Sequence, residues 1–97
     1  MRPIGFHPEA ILELQAESLF YNERSAGLGQ RLIDQTEHAL MLAAAMPGIG
    51  SPYLDNSRRV FPKDFPFSIV YHQHGEQLVV IAIAPFKKKP GYWRDRL

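Results

Sequence analysis

The sequence contains no cysteine, no long apolar run and no strong excess of charge, and each absence excludes a class of protein. Without cysteine there are no disulfides, no thiolate nucleophile and no cysteine-based zinc site. No apolar run approaches the ~20 residues of a membrane-spanning helix, and the N-terminus lacks the apolar core of a signal peptide. We therefore expect a soluble, cytoplasmic protein without membrane association, and 97 residues predict one domain over positions 1–97.

Motifs for metal, nucleotide or serine chemistry are also missing. No Gly-x-Ser-x-Gly elbow and no glycine-rich phosphate loop occurs in the chain. His72 and His74 share one face of a predicted strand, but no third ligand is evident, so a solvated hairpin end is favoured over a metal site. Glu9, Glu13 and Glu17 are spaced by four, which is typical of a solvated helix face. The sequence therefore predicts neither a metal nor a cofactor.

The formal net charge of +1 is the sum of two halves of opposite sign. Residues 1–47 hold three basic and six acidic residues, a net charge of −3, whereas residues 48–97 hold eight basic and four acidic residues, a net charge of +4. Aromatic residues alternate with the basic ones in the second half. Because cations neutralise phosphates and aromatic faces stack on bases, this half suits RNA or another acidic surface. The competing interpretation is a solvated basic turn, with Tyr92 and Trp93 at the edge of the core.

The first half of the chain has the periodicity of one strand followed by two helices. Alternating apolar residues predict a short strand at residues 4–7, ended by Pro8. Apolar positions at three- to four-residue intervals predict a helix from residue 8 to about 24 and a second from about 29 to 45. Gly27 or Gly29 is available for a left-handed cap between them. So short a link makes the two helices an antiparallel hairpin.

The second half changes to a period of two, which is typical of strands. After a loop at residues 48–56, strands are predicted at residues 59–61, 65–72 and 78–84, with a tight turn around Gly75. The last of these strands is uninterrupted apolar sequence, as in a central strand covered on both faces. The expected fold class is α+β with the order β-α-α-β-β-β. We expect an antiparallel sheet with the helical hairpin on one face and the opposite face partly open.

Six short phrases, in order along nearly the whole chain, resemble the RelE/ParE superfamily of toxins from type II toxin–antitoxin systems: residues 6–10 (FHPEA), 21–24 (YNER), 27–29 (GLG), 58–60 (RRV), 65–71 (FPFSIVY) and 88–93 (KKPGYW). The resemblance implies a small bacterial growth inhibitor of the same element order, neutralised by an antitoxin from an adjacent gene. RelE-like members cleave mRNA on the ribosome, and ParE-like members poison DNA gyrase without being enzymes. The phrases are closer to the ParE-like side.

The resemblance also implies candidate site residues. For a metal-independent endoribonuclease they are Lys63, Lys87 and Tyr92, with the cations holding phosphates and Tyr92 acting as acid or base. For binding of nucleic acid or another target, the candidates are the basic and aromatic residues Arg58, Arg59, Lys88, Lys89, Trp93 and Arg94.

Two departures from the family pattern bear on mechanism. Pro85 stands where many relatives with similar phrases carry a histidine, and lysines stand at 87–89 where those relatives have arginine pairs. Ser68 stands where RNA-cleaving members carry a basic residue. Arginine and lysine are not interchangeable in bidentate phosphate binding. Three hypotheses stay open: a gyrase poison, a ribosome-dependent mRNA nuclease, and a toxin-fold module that only binds its antitoxin.

Overall fold

Strands and helices follow one another in the predicted order. A computed structural model describes residues 2–97. Its elements are β1 (Ile4–Phe6), α1 (Pro8–Arg24), α2 (Leu28–Ala45), β2 (Ser51–Pro52), β3 (Arg58–Val60), β4 (Phe67–His74) and β5 (Gln77–Pro85). The α+β fold class is confirmed, and the two-residue strand β2 is an addition within the predicted loop. Neither helix of residues 2–97 combines the length and apolar character needed to cross a membrane.

The helical hairpin begins and turns where the sequence supplies suitable residues. His7 caps α1, because its Nδ1 accepts a hydrogen bond from the Glu9 amide at 3.1 Å, and Pro8 occupies the first turn. Gly27 has a φ of +86°, the left-handed conformation predicted for the link, and precedes α2. A Cβ at Gly29 would overlap the Ser18 carbonyl, so glycine lets the two helix backbones lie in direct contact.

The sheet has the strand order β1-β5-β4-β3-β2. Strands β2 to β5 pair antiparallel, and Gly75, with φ +61°, begins the tight turn between β4 and β5. The prediction of a wholly antiparallel sheet is wrong for β1, which pairs parallel with β5 from Ile4↔Leu78 to Phe6↔Val80. The whole helical hairpin and three strands separate β1 from β5, so no tight turn imposes an antiparallel direction on this pair.

Strand β5 lies inside the sheet, between β1 and β4, and is covered on both faces, as predicted. Leu32 and Leu40 of α2 pack with Phe67, Ile69 and Ile83 on the helix side of the sheet. On the far face, opposite the helices, a second cluster forms from Val70, Ile81, Ala82, Ala84 and Trp93. The pairing passes from Val70↔Ala82 to Tyr71↔Val80, which leaves Ile81 as the extra residue of a β-bulge. The bulge lets two consecutive residues, Ile81 and Ala82, join the far-face cluster.

The expectation of a partly open far face is therefore wrong. The chain returns after β5, and Trp93, which is 1% exposed, covers the far face together with Tyr53. The two rings lie 6.0 Å apart between centroids. The apolar far-face residues of β4 and β5 need such a cover, since exposed they would form a contiguous apolar patch.

Replacing Trp93 by alanine tests its role in the core. We expect Trp93→Ala to lower the free energy of unfolding by about 3–5 kcal/mol, because it removes a fully buried aromatic side chain. Phe86→Ala is the control, since Phe86 is 58% exposed, and it should change stability by about 0.5 kcal/mol or less. Urea unfolding followed by circular dichroism measures both. Equal effects of the two substitutions would contradict the assignment of Trp93 to the core.

Candidate functional site

The C-terminal segment, residues 86–97, builds most of the candidate site. It leaves β5 through the exposed residues 86–90 and turns at Gly91, whose φ of +80° is in the left-handed region that favours glycine. The turn places Tyr92 and Trp93 against the far face of the sheet. A short 3-10 turn, Arg94–Arg96, follows and brings Arg96 back to α1.

Glu13 of α1 anchors this segment. Its Oε1 accepts hydrogen bonds from the Ile83 amide at 3.1 Å and from Nη1 of Arg96 at 2.8 Å. Its Oε2 accepts from the Tyr92 hydroxyl at 2.6 Å and from Nη2 of Arg96 at 3.1 Å. The side chains of Arg96 and Glu13 are only 14% and 17% exposed. The prediction that Glu13 belongs to a solvated helix face is therefore wrong.

Side chains satisfy backbone groups of β5 at the edge where its pairing with β1 ends. Strand β1 pairs with β5 only between Leu78 and Val80. Beyond Val80, Arg96 Nη1 donates to the Ile81 carbonyl at 3.1 Å, and the Ile83 amide donates to Glu13. Buried backbone groups need partners, and side chains from α1 and the C-terminal segment supply them here.

The same contacts favour the protonated form of the Tyr92 hydroxyl. Burial raises the pKa of the Tyr92 hydroxyl well above its ordinary value, and the hydrogen bond to the Glu13 carboxylate raises it further. The hydrogen bond to Glu13 likewise raises the pKa of the Arg96 guanidinium. The Tyr92 hydroxyl therefore stays protonated at neutral pH and donates a hydrogen bond to the Glu13 carboxylate, so Tyr92 is a poor general base.

A cavity of about 330 Å³ opens on the far face between β3, the adjoining ends of β4 and β5, and the C-terminal segment. Arg59 of β3 lies in it, with its guanidinium carbon 4.1 Å from the Tyr53 ring centroid and 5.3 Å from that of Phe61. Arg59 Nη1 donates to the Ser68 hydroxyl at 3.2 Å. Its Nε is buried and finds no hydrogen-bond partner within residues 2–97. We call this cavity the Arg59 pocket; its other lining residues include Phe86, Lys88, Lys89, Tyr92 and Trp93.

Of the six residues predicted to bind a target, three line the Arg59 pocket as cations: Arg59, Lys88 and Lys89. The ammonium group of Lys88 lies 4.6 Å from the centroid of the Tyr92 ring. The other three are engaged within the chain. Arg58 Nη1 donates to the Gly50 carbonyl at 2.7 Å, and Arg94 forms an ion pair with Asp55. The indole of Trp93 borders the same pocket but is 1% exposed and packs in the far-face core.

The three candidate catalytic residues are not brought together. Tyr92 lines the Arg59 pocket, whereas Lys87 lines a separate cavity of about 240 Å³ beside Glu17 of α1. Lys63 lines neither cavity and is exposed in the loop before β4. The neighbouring Asp64 carboxylate accepts hydrogen bonds from Gln35 and Arg31, and these contacts, led by Gln35, lower the pKa of Asp64.

Sequence reasoning missed Glu13, Arg96 and Tyr53. One signal was available for Glu13, because it lies three residues after the buried Ala10 and next to Leu14, hence on the inward face of α1. An acidic residue in that position requires a buried partner. Nothing local in the sequence identified Arg96, 83 residues away, as that partner.

Substitution of Glu13 by glutamine tests the anchor. We expect Glu13→Gln to lower the free energy of unfolding by roughly 2–4 kcal/mol, because it leaves the mostly buried Arg96 without its counter-charge. Glu23→Gln is the matched control on the same helix, since Glu23 is exposed. Chemical denaturation of both variants measures the difference, and a loss no larger than that of the control would contradict the anchoring role.

Alkaline pH tests the raised pKa of Tyr92. A tyrosine whose pKa is raised by folding contributes stability that is present below the ordinary value of about 10 and is lost as the pH rises above it. Burial raises the pKa of Tyr71 as well, so the wild type should lose stability for two reasons. We expect Tyr92→Phe to reduce the slope of this loss, measured by urea unfolding between about pH 9 and 11. A slope of stability against pH equal to that of the wild type would contradict the raised pKa of Tyr92.

Comparison with known proteins identifies the fold. The chain is similar to one chain of a solved structure described as a chromosomal ParDE TA system from P. aeruginosa, with a TM-score of 0.72 and 19% sequence identity over 90% of this chain and 98% of that one. No family model matches the sequence, and no curated protein matches it. The likeness covers nearly all of both chains, so this chain has the fold of that chain of a ParDE system, as its sequence phrases predicted.

Proposed function

We propose that this chain is the toxin of a type II toxin–antitoxin pair and that it inhibits bacterial growth by poisoning DNA gyrase. The observation that carries the proposal is the fold likeness to a chain of a ParDE system, at a TM-score of 0.72. The ordered sequence phrases, which are closer to ParE-like than to RelE-like toxins, support it independently. The protein acts in the cytoplasm, where its target and its antitoxin are found.

The placement of the candidate catalytic residues favours this mechanism over mRNA cleavage. Metal-free cleavage of RNA needs a base, an acid and cations within hydrogen-bonding reach of one phosphodiester. Lys63, Lys87 and Tyr92 do not line one common cavity, and the Tyr92 hydroxyl donates a hydrogen bond to Glu13. Ser68, at the position where RNA-cleaving members carry a basic residue, only accepts a hydrogen bond from Arg59.

We further propose that the antitoxin, encoded by an adjacent gene, covers the outer side of the helical hairpin. The far face of the sheet is already covered by the C-terminal segment, but large apolar side chains remain exposed on the helices, among them Leu12, Leu19, Phe20, Met41 and Leu42. Exposed apolar surface of this kind marks an interaction site, and an amphipathic helix from a partner is one way to bury it.

Induced expression in bacteria tests the proposal. We expect growth arrest on induction, rescue on co-expression of the adjacent gene, and accumulation of cleaved DNA when the purified chain is added to gyrase and supercoiled plasmid. Gyrase and plasmid without the chain are the control. Primer extension on cellular mRNA should show no new cuts.

The alternatives give different results in the same experiments. Discrete cuts in mRNA within reading frames, with gyrase unaffected, would support ribosome-dependent mRNA cleavage and contradict gyrase poisoning. Normal growth on induction, with binding to the antitoxin retained, would identify a toxin-fold module whose only activity is to bind its antitoxin. Normal growth without antitoxin binding would contradict every version of the proposal.

A further inference from the structure

Among residues 2–97, Arg59 has neither a carboxylate partner, as Arg94 and Arg96 have, nor the backbone carbonyl acceptors of Arg58. Arg94 and Arg96 each pair with a carboxylate, and Arg58 donates to backbone carbonyls. Among residues 2–97, Arg59 has the Ser68 hydroxyl as its hydrogen-bond acceptor, and its Nε is buried without any. In the part of the chain that the structure describes, no acidic side chain lines the Arg59 pocket. A partly buried cation without a counter-charge is unfavourable, and an anion from outside would remove the penalty.

The pocket also holds this guanidinium in a fixed orientation. The rings of Tyr53 and Phe61 lie against it at 4.1 and 5.3 Å, and Ser68 accepts one of its N–H groups. A planar guanidinium presents its donors as a fork that matches the two oxygens of a carboxylate, and little side-chain freedom is left to lose on binding. The arrangement is therefore preorganised for an oxyanion.

The rim of the pocket adds further cations and an apolar contact. Lys88 and Lys89 line it, and both are exposed. Phe61 and Phe86 form an edge-to-face pair at 6.1 Å and are 44% and 58% exposed. Aromatic side chains at this level of exposure provide a surface for an apolar residue next to the bound anion.

The distribution of cations favours a protein ligand over a nucleic acid. A nucleic-acid strand requires a continuous track of cations along its phosphates. Here Arg58, Arg94 and Arg96 are bound to groups of the chain itself. Lys63 and Lys87 lie outside the Arg59 pocket. Three cations, Arg59, Lys88 and Lys89, share one cavity large enough for a side chain or two.

We propose that the Arg59 pocket binds a glutamate or aspartate side chain of an acidic segment in the protein target, with a neighbouring apolar residue of that segment against Phe61 and Phe86. Arg59 forms a bidentate ion pair with the carboxylate, and Lys88 and Lys89 attract the acidic residues beside it. The inference rests on the proposed function in one respect, namely that this toxin acts by gripping a protein.

The single tryptophan of the chain lines the pocket and reports its occupancy. Fluorescence of Trp93 is titrated with a blocked hexapeptide of alternating glutamate and phenylalanine. The comparison ligands are the same peptide with glutamine for glutamate, a twelve-nucleotide oligothymidylate and inorganic phosphate. We expect saturable binding of the acidic peptide and binding at least tenfold weaker for each of the other three.

Matched variants locate the binding. Arg59→Gln should weaken binding of the acidic peptide roughly 10- to 100-fold, the loss expected for a charge-assisted hydrogen-bonded pair. Arg24→Gln removes the same charge at the exposed end of α1, outside the pocket, and should change binding less than twofold. A Lys88→Gln/Lys89→Gln double variant keeps Arg59 and should weaken binding to an intermediate extent. Circular dichroism confirms that each variant is folded.

Several results would overturn the inference. Tighter binding of the oligonucleotide or of phosphate would assign the pocket to another ligand class, and equal effects of Arg59→Gln and Arg24→Gln would place binding elsewhere. The growth assay separates this inference from the proposed function. Growth arrest that is unchanged in Arg59→Gln contradicts the pocket assignment alone, whereas peptide binding by a chain that does not arrest growth contradicts the toxin proposal alone.

Discussion

The far face of the sheet depends on the hydrogen bonds that the Glu13 carboxylate accepts. It accepts hydrogen bonds from β5, from Tyr92 and twice from Arg96, so it joins α1, the sheet and the C-terminal segment at one point. Without this anchor nothing else described in the chain ties Arg96 to α1, and the edge of β5 beyond Val80 loses its substitute partner. The buried position of Trp93 and the Tyr92 wall of the Arg59 pocket both follow from it.

Most of the fold was predictable because its signals are local. Apolar periodicity, Pro8, Gly27 and the uninterrupted apolar run of β5 act within a few residues of the elements that they specify. The parallel direction of β1 was not predictable in this way, since it depends on pairing with residues more than 70 positions away. The closed far face was missed for the same reason. Whether Trp93 covers a sheet or contacts solvent depends on a turn at Gly91 and on an ion pair between residues 13 and 96.

Only part of the candidate site was predictable from the sequence. The period of two in a strand places consecutive side chains on opposite faces, so only one of Arg58 and Arg59 is able to line the far-face pocket. Pairing of Arg59 with Val70, a far-face residue, decides that it is Arg59. The lysines at 87–89 follow the last strand, where no periodicity applies. Lys87 lies beside the helices, whereas Lys88 and Lys89 line the Arg59 pocket. Only the path of the chain after β5 determines this division.

Helix α1 exposes apolar side chains on its outer side and also contacts Tyr92, which lines the Arg59 pocket. Its outer side exposes Leu12 and Leu19, and its inner side carries Glu13, one residue after Leu12. The Glu13 hydrogen bonds of 2.6 to 3.1 Å tolerate little displacement. A displacement of α1 against β5 would therefore lengthen the hydrogen bond to Tyr92, one of the residues that line the Arg59 pocket. The position of α1 and the Tyr92 wall of the Arg59 pocket are in this way coupled through the Glu13 carboxylate.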